Sequence, residues 1–174
     1  MKKTVLKFGL ISGGILAAMM IIPGLISKDF AWGHVGEIIG YTTMVVSSVM
    51  IFMGVKSYRD NDNGGVINFG KAFKVAMLIT LVSTLIYVTV WMILSVTIYS
   101  DFMERYSALM MEKAKASGVS PEELAAKKAE MEQFKELYKN PFIRAAMTFI
   151  EPLPVGILMS LVASFVFKKK AAVM

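Results

Sequence analysis

Cysteine is absent from this chain of 174 residues. That excludes disulfides, thiolate nucleophiles, and cysteine-ligated zinc or iron–sulfur sites. Histidine occurs once, at His34, which excludes multi-histidine metal centres and the zincin motif. A Ser-His-Asp set would have to use His34, which stands beside Trp32 with Asp29 as its sequence-near acid. No catalytic constellation results, so neither enzymatic activity nor a cofactor or metal is expected. Fifteen methionines would suit Cu(I) in principle. Met103, Met110, Met111 and Met131 nevertheless read as packing residues on apolar stripes. Charge is also sparse, at 18% of residues against an ordinary ~25%.

Apolar residues take the place of what is missing. They make up 56% of the chain, and the mean hydropathy is +0.60. They concentrate in four runs, at about 8–27, 35–55, 75–98 and 142–167, each long enough to cross a ~30 Å hydrocarbon core as a helix. The pattern predicts an all-α integral membrane protein with four transmembrane helices in one domain spanning 1–174. The apolar stretch of the first run is longer than the 7–15 residues of a signal-peptide core, and no A-x-A site follows it, so it reads as a retained helix. A net charge of +6 sits mainly at helix ends, where it matches anionic lipid rather than nucleic acid.

The distribution of basic residues sets an orientation. Lys2, Lys3 and Lys7, then Lys56, Arg59, Lys71 and Lys74, then Lys168, Lys169 and Lys170 fall at one end of the runs. The loop at 28–34 has only Lys28, and the segment 99–140 balances its bases with acids. Both termini are expected in the cytoplasm. The seven basic residues from Lys56 to Lys170 are expected among lipid headgroups.

The segment 99–140 carries helix signals of its own. Ser117-Gly118 is a stop, and Ser120-Pro121-Glu122-Glu123 is a capping box with proline at the first helical position. Phe102, Tyr106, Leu109 and Met110 recur at helical spacing before the turn, and Leu124, Met131, Phe134 and Tyr138 after it. The third membrane helix is therefore expected to run on to about Ala116, turn, and return as the second arm of an extracytoplasmic helical hairpin. Within the membrane, Gly9, Gly13 and Ala17 form one small-residue stripe, and Gly36 and Gly40 another. The spacing predicts close contact of helices one and two.

The most polar stretch of the first hundred residues is "SYRDNDNGGVINFGKAFK" at 57–74. Its "GVINFGKA" at 65–72 has the glycines and lysine of a phosphate loop. Ala72 stands where a magnesium-binding hydroxyl is needed, however, and a membrane helix rather than a strand precedes it. It reads as a turn between membrane helices. With "GEIIGYTTM" (36–44), "IFMGVKSYRD" (51–60), "NGGVINFGKAFKVA" (63–76) and "PVGILMSLVASFVFKKK" (154–170), the chain resembles an uncharacterised family of small bacterial membrane proteins, domain of unknown function 4199, found mainly in Bacteroidetes. The resemblance covers nearly the whole chain, including the "DFMERY", "ASG" and "YKNP" segments of the hairpin. It implies a four-span protein of the bacterial inner membrane and carries no activity or ligand.

Two glutamates fall inside the runs. Counted from the basic ends, Glu37 lies about 28 Å from Lys56 and Glu151 about 25 Å from Lys168, so both sit at one depth. Ionisable residues there face a bundle interior, a partner or a water cavity. If the two are close, repulsion and burial keep one protonated. Arg144, two turns from Glu151, and Tyr41, one turn from Glu37, complete a candidate polar site. An Arg144–glutamate pair locking helices two and four is one reading, and a lipid-headgroup or membrane-partner site another. The functional expectation is an interaction or accessory protein that engages a protein partner, or a second copy of itself, through the hairpin. The alternative is a small proton- or cation-coupled transporter using Glu37 and Glu151.

Overall fold

A computed structural model describes residues 1–26 and 34–169; the side chains of Ile26, His34, Val35 and Glu37 lie outside that description. The expectations for Lys28, Asp29, Trp32 and Lys170 lie outside it too. Seven α-helices follow one another among the described residues: α1 (Lys2–Ile26), α2 (His34–Ser57), α3 (Phe69–Leu94), α4 (Phe102–Ala116), α5 (Pro121–Lys139), α6 (Pro141–Ile150) and α7 (Leu153–Phe167). Four spans are long and apolar enough to cross a membrane: Lys2–Leu25, Ile38–Asp62, Phe69–Leu94 and Pro141–Phe167. The chain is a membrane protein of four helical spans.

α3 is the central helix, packed against α1, α2, α6 and α7, while α2 also reaches α1 and α7. At the end holding both termini the core is apolar. Val55, Val75, Ala76 and Ile79 are fully buried there, with Val5, Phe8 and Ile51 nearly so. Toward mid-bundle the buried face changes to hydroxyls: Ser12, Ser47, Ser48, Thr80, Ser83, Thr84 and Ser160. Ser12 Oγ donates to the Ser47 carbonyl at 3.1 Å and ties α1 to α2, and Thr80 and Ser160 share a 3.2 Å hydrogen bond between α3 and α7.

The small-residue stripes act differently from expectation. α1 packs on α2 as expected, but Gly9 and Gly13 press on Val82 and Ile86 of α3, the helix against which α1 packs most. Gly40 has open space where a Cβ would stand, so it makes no close helix contact. Gly156 of α7 meets Thr80 of α3. The close approaches within the bundle thus centre on α3.

At the termini end, α2 finishes in a π-helical turn, Tyr58–Asp62, and Gly64 and Gly65 reverse the chain at φ 65° and 78°. Asn68 then caps α3, accepting from the Lys71 backbone N–H at 2.8 Å. Asp62 binds the N-terminal ammonium at 3.2 Å and accepts from Thr4. A two-bond bridge between Ile67 and Lys169 clasps the end of α7 to this turn. Arg59 pairs with Asp60 at 2.6 Å and lies over the Phe167 ring, while Lys56 and Lys74 stay exposed.

The third membrane helix does not run on to Ala116. It ends at Leu94, and a turn at 95–101 separates it from α4. The β-branched run Val96-Thr97-Ile98 is a poor helix former. Tyr99 fastens the turn by donating its hydroxyl to the Met20 carbonyl of α1 at 2.9 Å. Beyond it the hairpin has the expected punctuation: Gly118 at φ 71° and the Ser120/Glu123 capping box. The fourth span is broken between α6 and α7 at Glu151-Pro152. Pro152 has no N–H for the carbonyl of Thr148, and Pro154 none for that of Ile150.

Candidate functional site

The end of the bundle nearer the hairpin opens into a cleft of about 710 Å3. Its walls come from α1 (Leu16, Met19, Met20), α2 (Ile39, Gly40, Tyr41, Thr43, Met44), α3 (Tyr87, Trp91), the hairpin, and α6 (Met147, Thr148). Eight aromatic residues line it: Tyr41, Tyr87, Trp91, Tyr99, Phe102, Tyr106, Phe134 and Tyr138. Glu151 is the one charged residue among the described residues of its lining, and no lysine, arginine or histidine joins it there.

Helical spacing sets the rings in place. Tyr87 and Trp91, Phe102 and Tyr106, and Phe134 and Tyr138 are i, i+4 pairs, so each pair shares a helix face. The three faces converge. Phe102 meets Trp91 edge-on at 4.8 Å and stacks with Tyr138 at 5.9 Å, and Tyr106 meets Phe134 at 6.4 Å. Trp91 Nε1 donates to the Tyr138 hydroxyl at 2.7 Å, joining α3 to α5. Burial pushes the phenols of Tyr138 and Tyr99 above their ordinary value of 10. Both therefore stay neutral at physiological pH and offer a ring face and a hydroxyl, not a charge.

Glu151 stands at the C-terminal end of α6 and accepts from the Tyr87 hydroxyl at 2.9 Å. It lines the cleft together with Tyr41. Arg144 takes another position. Its guanidinium lies over the Tyr138 ring at 5.8 Å, and its buried Nε has no hydrogen-bond partner among the described residues. Arg144 makes no ion pair with Glu151 among the described residues, and Tyr87 on the neighbouring α3 reaches that carboxylate directly. A pairing with Glu37 lies outside the described side chains, although Gly36, next to it, lines the cleft.

Tyr87 and Trp91 had no part in the sequence reading. Their i, i+4 spacing at the end of an uncharged span was the available signal. Phe102, Tyr106, Phe134 and Tyr138 read as a stripe for hairpin pairing, and they also form the cleft wall. No group of three or more His, Cys, Asp or Glu side chains gathers among the described residues, so the cleft's donors are rings, hydroxyls and a single carboxylate.

The chain belongs to the family described as Protein of unknown function (DUF4199), whose model matches residues 7–169. No curated protein and no solved structure matches it.

Proposed function

We propose that this member of the DUF4199 family is a membrane-embedded binding protein for an organic cation, a hydrophobic molecule bearing a quaternary or delocalised positive charge. The observation that carries the reading is a cleft walled by eight aromatic side chains with Glu151 as the one charged group among the described residues of its lining. Ring faces attract cations with soft hydration shells, at about 0.5–2 kcal/mol per good contact. Apolar walls with one converging polar group are the usual build of a small-molecule site. Among the described residues of the lining, an anion would meet Glu151 and no lysine, arginine or histidine.

On this reading the hairpin faces away from the cytoplasm and both termini lie inside it, in the bacterial inner membrane, because the basic residues gather at the termini end. The hairpin serves chiefly as the cleft's roof. Its aromatic stripe is used on Trp91 and between its own arms, which removes the main physical argument for a docking partner. Translocation of the bound cation is a second reading. The break at Pro152 favours it, since interrupted helices with freed carbonyls mark the substrate sites of carriers.

The test uses the full chain in mild detergent carrying Trp32→Phe, which leaves Trp91 as its single indole. Tetraphenylphosphonium and tetraphenylborate share size and shape and differ in charge. Saturable quenching of Trp91 by the cation, with little by the anion, is expected. At about 6 Å and an effective dielectric of roughly 20–40, Glu151 contributes about 1.4–2.8 kcal/mol. Glu151→Gln should therefore weaken cation binding by about ten- to a hundredfold. Equal responses to both ions, or an unchanged affinity in Glu151→Gln, would overturn the proposal.

A further inference from the structure

Directly beneath the cleft is a second, much smaller void of about 20 Å3. Leu16 and Met44 line both spaces. The polar part of its wall is Ser12, Ser47, Ser48, Thr80, Ser83 and Thr84, and Pro152 and Gly156 of the broken span close it on the other side. No acidic or basic side chain lines it among the described residues. The volume accepts one particle of about the size of a water molecule.

The hydroxyl protons decide what that particle is. Ser12 donates to the Ser47 carbonyl, Ser47 to Met44, Ser48 to Val45, Thr80 to Ala76 and Ser83 to Thr80, at 2.6–3.2 Å. Five of the six hydroxyls thus commit their proton to a main-chain carbonyl and present oxygen lone pairs to any neighbour. Water in such a wall can donate twice, but only the Thr84 hydroxyl has a proton left to offer its lone pairs. A small cation needs acceptors alone. The break borders this field, with Pro152 and Gly156 in its wall.

We propose that this void is a monovalent-cation site, sized for sodium, held by serine and threonine oxygens of α1, α2 and α3 at the α6–α7 break. Neutral oxygen sets beside an interrupted helix are chemically suited to ions of this charge. The inference stands apart from the organic-cation reading, since its readout needs no organic ligand.

The experiment follows thermal unfolding of the full chain in detergent while sodium chloride replaces N-methyl-D-glucamine chloride, a strongly hydrated and non-quaternary cation, at constant ionic strength. A saturable rise in Tm with sodium, smaller with potassium and absent with N-methyl-D-glucamine, is the expected result. Ser48→Ala and Ser83→Ala each remove one wall oxygen whose proton serves only its own helix, so neither strands a buried donor. Together they should raise the sodium concentration for half-effect by about tenfold or more. If the double variant does not fold, sodium-23 line broadening on the unaltered chain, reversed by lithium, supplies the readout. Identical unfolding in sodium and N-methyl-D-glucamine, or no excess broadening, would show that the void holds water only and would overturn the proposal.

Discussion

Gly13 and Gly14 are neighbours on α1, and the same substitution at each should move stability in opposite directions. Alanine in a helix interior is favoured over glycine by about 0.5–1 kcal/mol, and both positions receive that gain. A Cβ on Gly14 meets nothing within 4 Å, so Gly14→Ala should stabilise by that amount. A Cβ on Gly13 would stand 2.5 Å from Ile86 Cδ1 and 2.8 Å from Ile86 Cβ. The first atom can swing away by rotation. The second is fixed by the backbone of α3, so α1 and α3 must part by roughly half an ångström, and overpacking of this kind costs about 1–3 kcal/mol. The gap between the two variants should therefore be about 1–3 kcal/mol, with Gly13→Ala the less stable. Gly9→Ala should be worse placed still, since both Val82 Cβ and Val82 Cγ1 lie 2.6 Å from the added carbon and a β-branched side chain has little rotameric escape. Gly40→Ala, in open space, should behave like Gly14→Ala. Unfolding in mixed micelles titrated with a denaturing detergent measures all four. If Gly13→Ala and Gly14→Ala agree within about 0.5 kcal/mol, a typical mutational scatter, the assignment of α3 as the partner of α1 is wrong.

Two other expectations concern the hairpin. The Glu123 carboxylate accepts from the Ser120 backbone N–H at 2.9 Å, which holds it below its ordinary value of 4.5. A depressed carboxylate supports the folded form above its unfolded value and loses that support as pH falls through the lower, folded one. The Ser120 amide resonance should therefore titrate with a midpoint below 4.5, and a midpoint at or above 4.5 would contradict the cap. The natural chain has no cysteine, so single cysteines at Asn63 and Ser117 report topology cleanly. An impermeant thiol reagent should label Ser117→Cys on intact cells and Asn63→Cys only after permeabilisation, and the reverse pattern would invert the proposed orientation.

The four spans were legible because hydropathy and helix length are properties of local sequence. The same holds for the capping box at Ser120 and the stop at Gly118, whose partners lie within a few residues. Which helix each glycine faces was not local information. GxxxG spacing reports that a backbone can be approached closely, and Gly9 and Gly13 are approached, but by α3. Gly36 and Gly40 show the same spacing, yet Gly40 meets open space. The depth of Glu151 followed from counting along one helix. Its partner did not, because Tyr87 is 64 residues away and its phenol lies amid a run read only as apolar. Arg144 showed the limit from the other side: its charge suggested an ion pair with a glutamate, and among the described side chains its guanidinium faces the ring of Tyr138. The break at Glu151-Pro152 was legible from proline chemistry alone, whereas the cleft beside it required three separate aromatic faces to converge.

The inward face of α3 connects these features. Reading from the termini end, Ala72, Val75, Ala76 and Ile79 are apolar and fully buried, Thr80, Ser83 and Thr84 are buried hydroxyls, and Tyr87 and Trp91 line the cleft. The spacing of three and four residues keeps all nine on one side of the helix, so a single stripe passes from seal to oxygens to aromatic rings. At 1.5 Å per residue the stretch from Trp91 to Ile79 spans about 18 Å, more than half of a ~30 Å hydrocarbon core. A cation arriving from the hairpin end would first exchange hydration for ring faces and Glu151, and a small one could then reach the hydroxyl oxygens. It would stop at Ile79, which packs near Phe8 and against Gly54 of α2. Carriage across the membrane therefore requires the contact of α1, α2 and α3 around Ile79 to loosen. Binding alone does not. Enlarging the packed position with Gly54→Ala, which presses on Ile79 and Phe8, perturbs the seal while leaving every residue of the cleft in place. Cation binding measured at Trp91 should survive that change, because the rings and the carboxylate that hold the ligand lie on the far side of the hydroxyl layer.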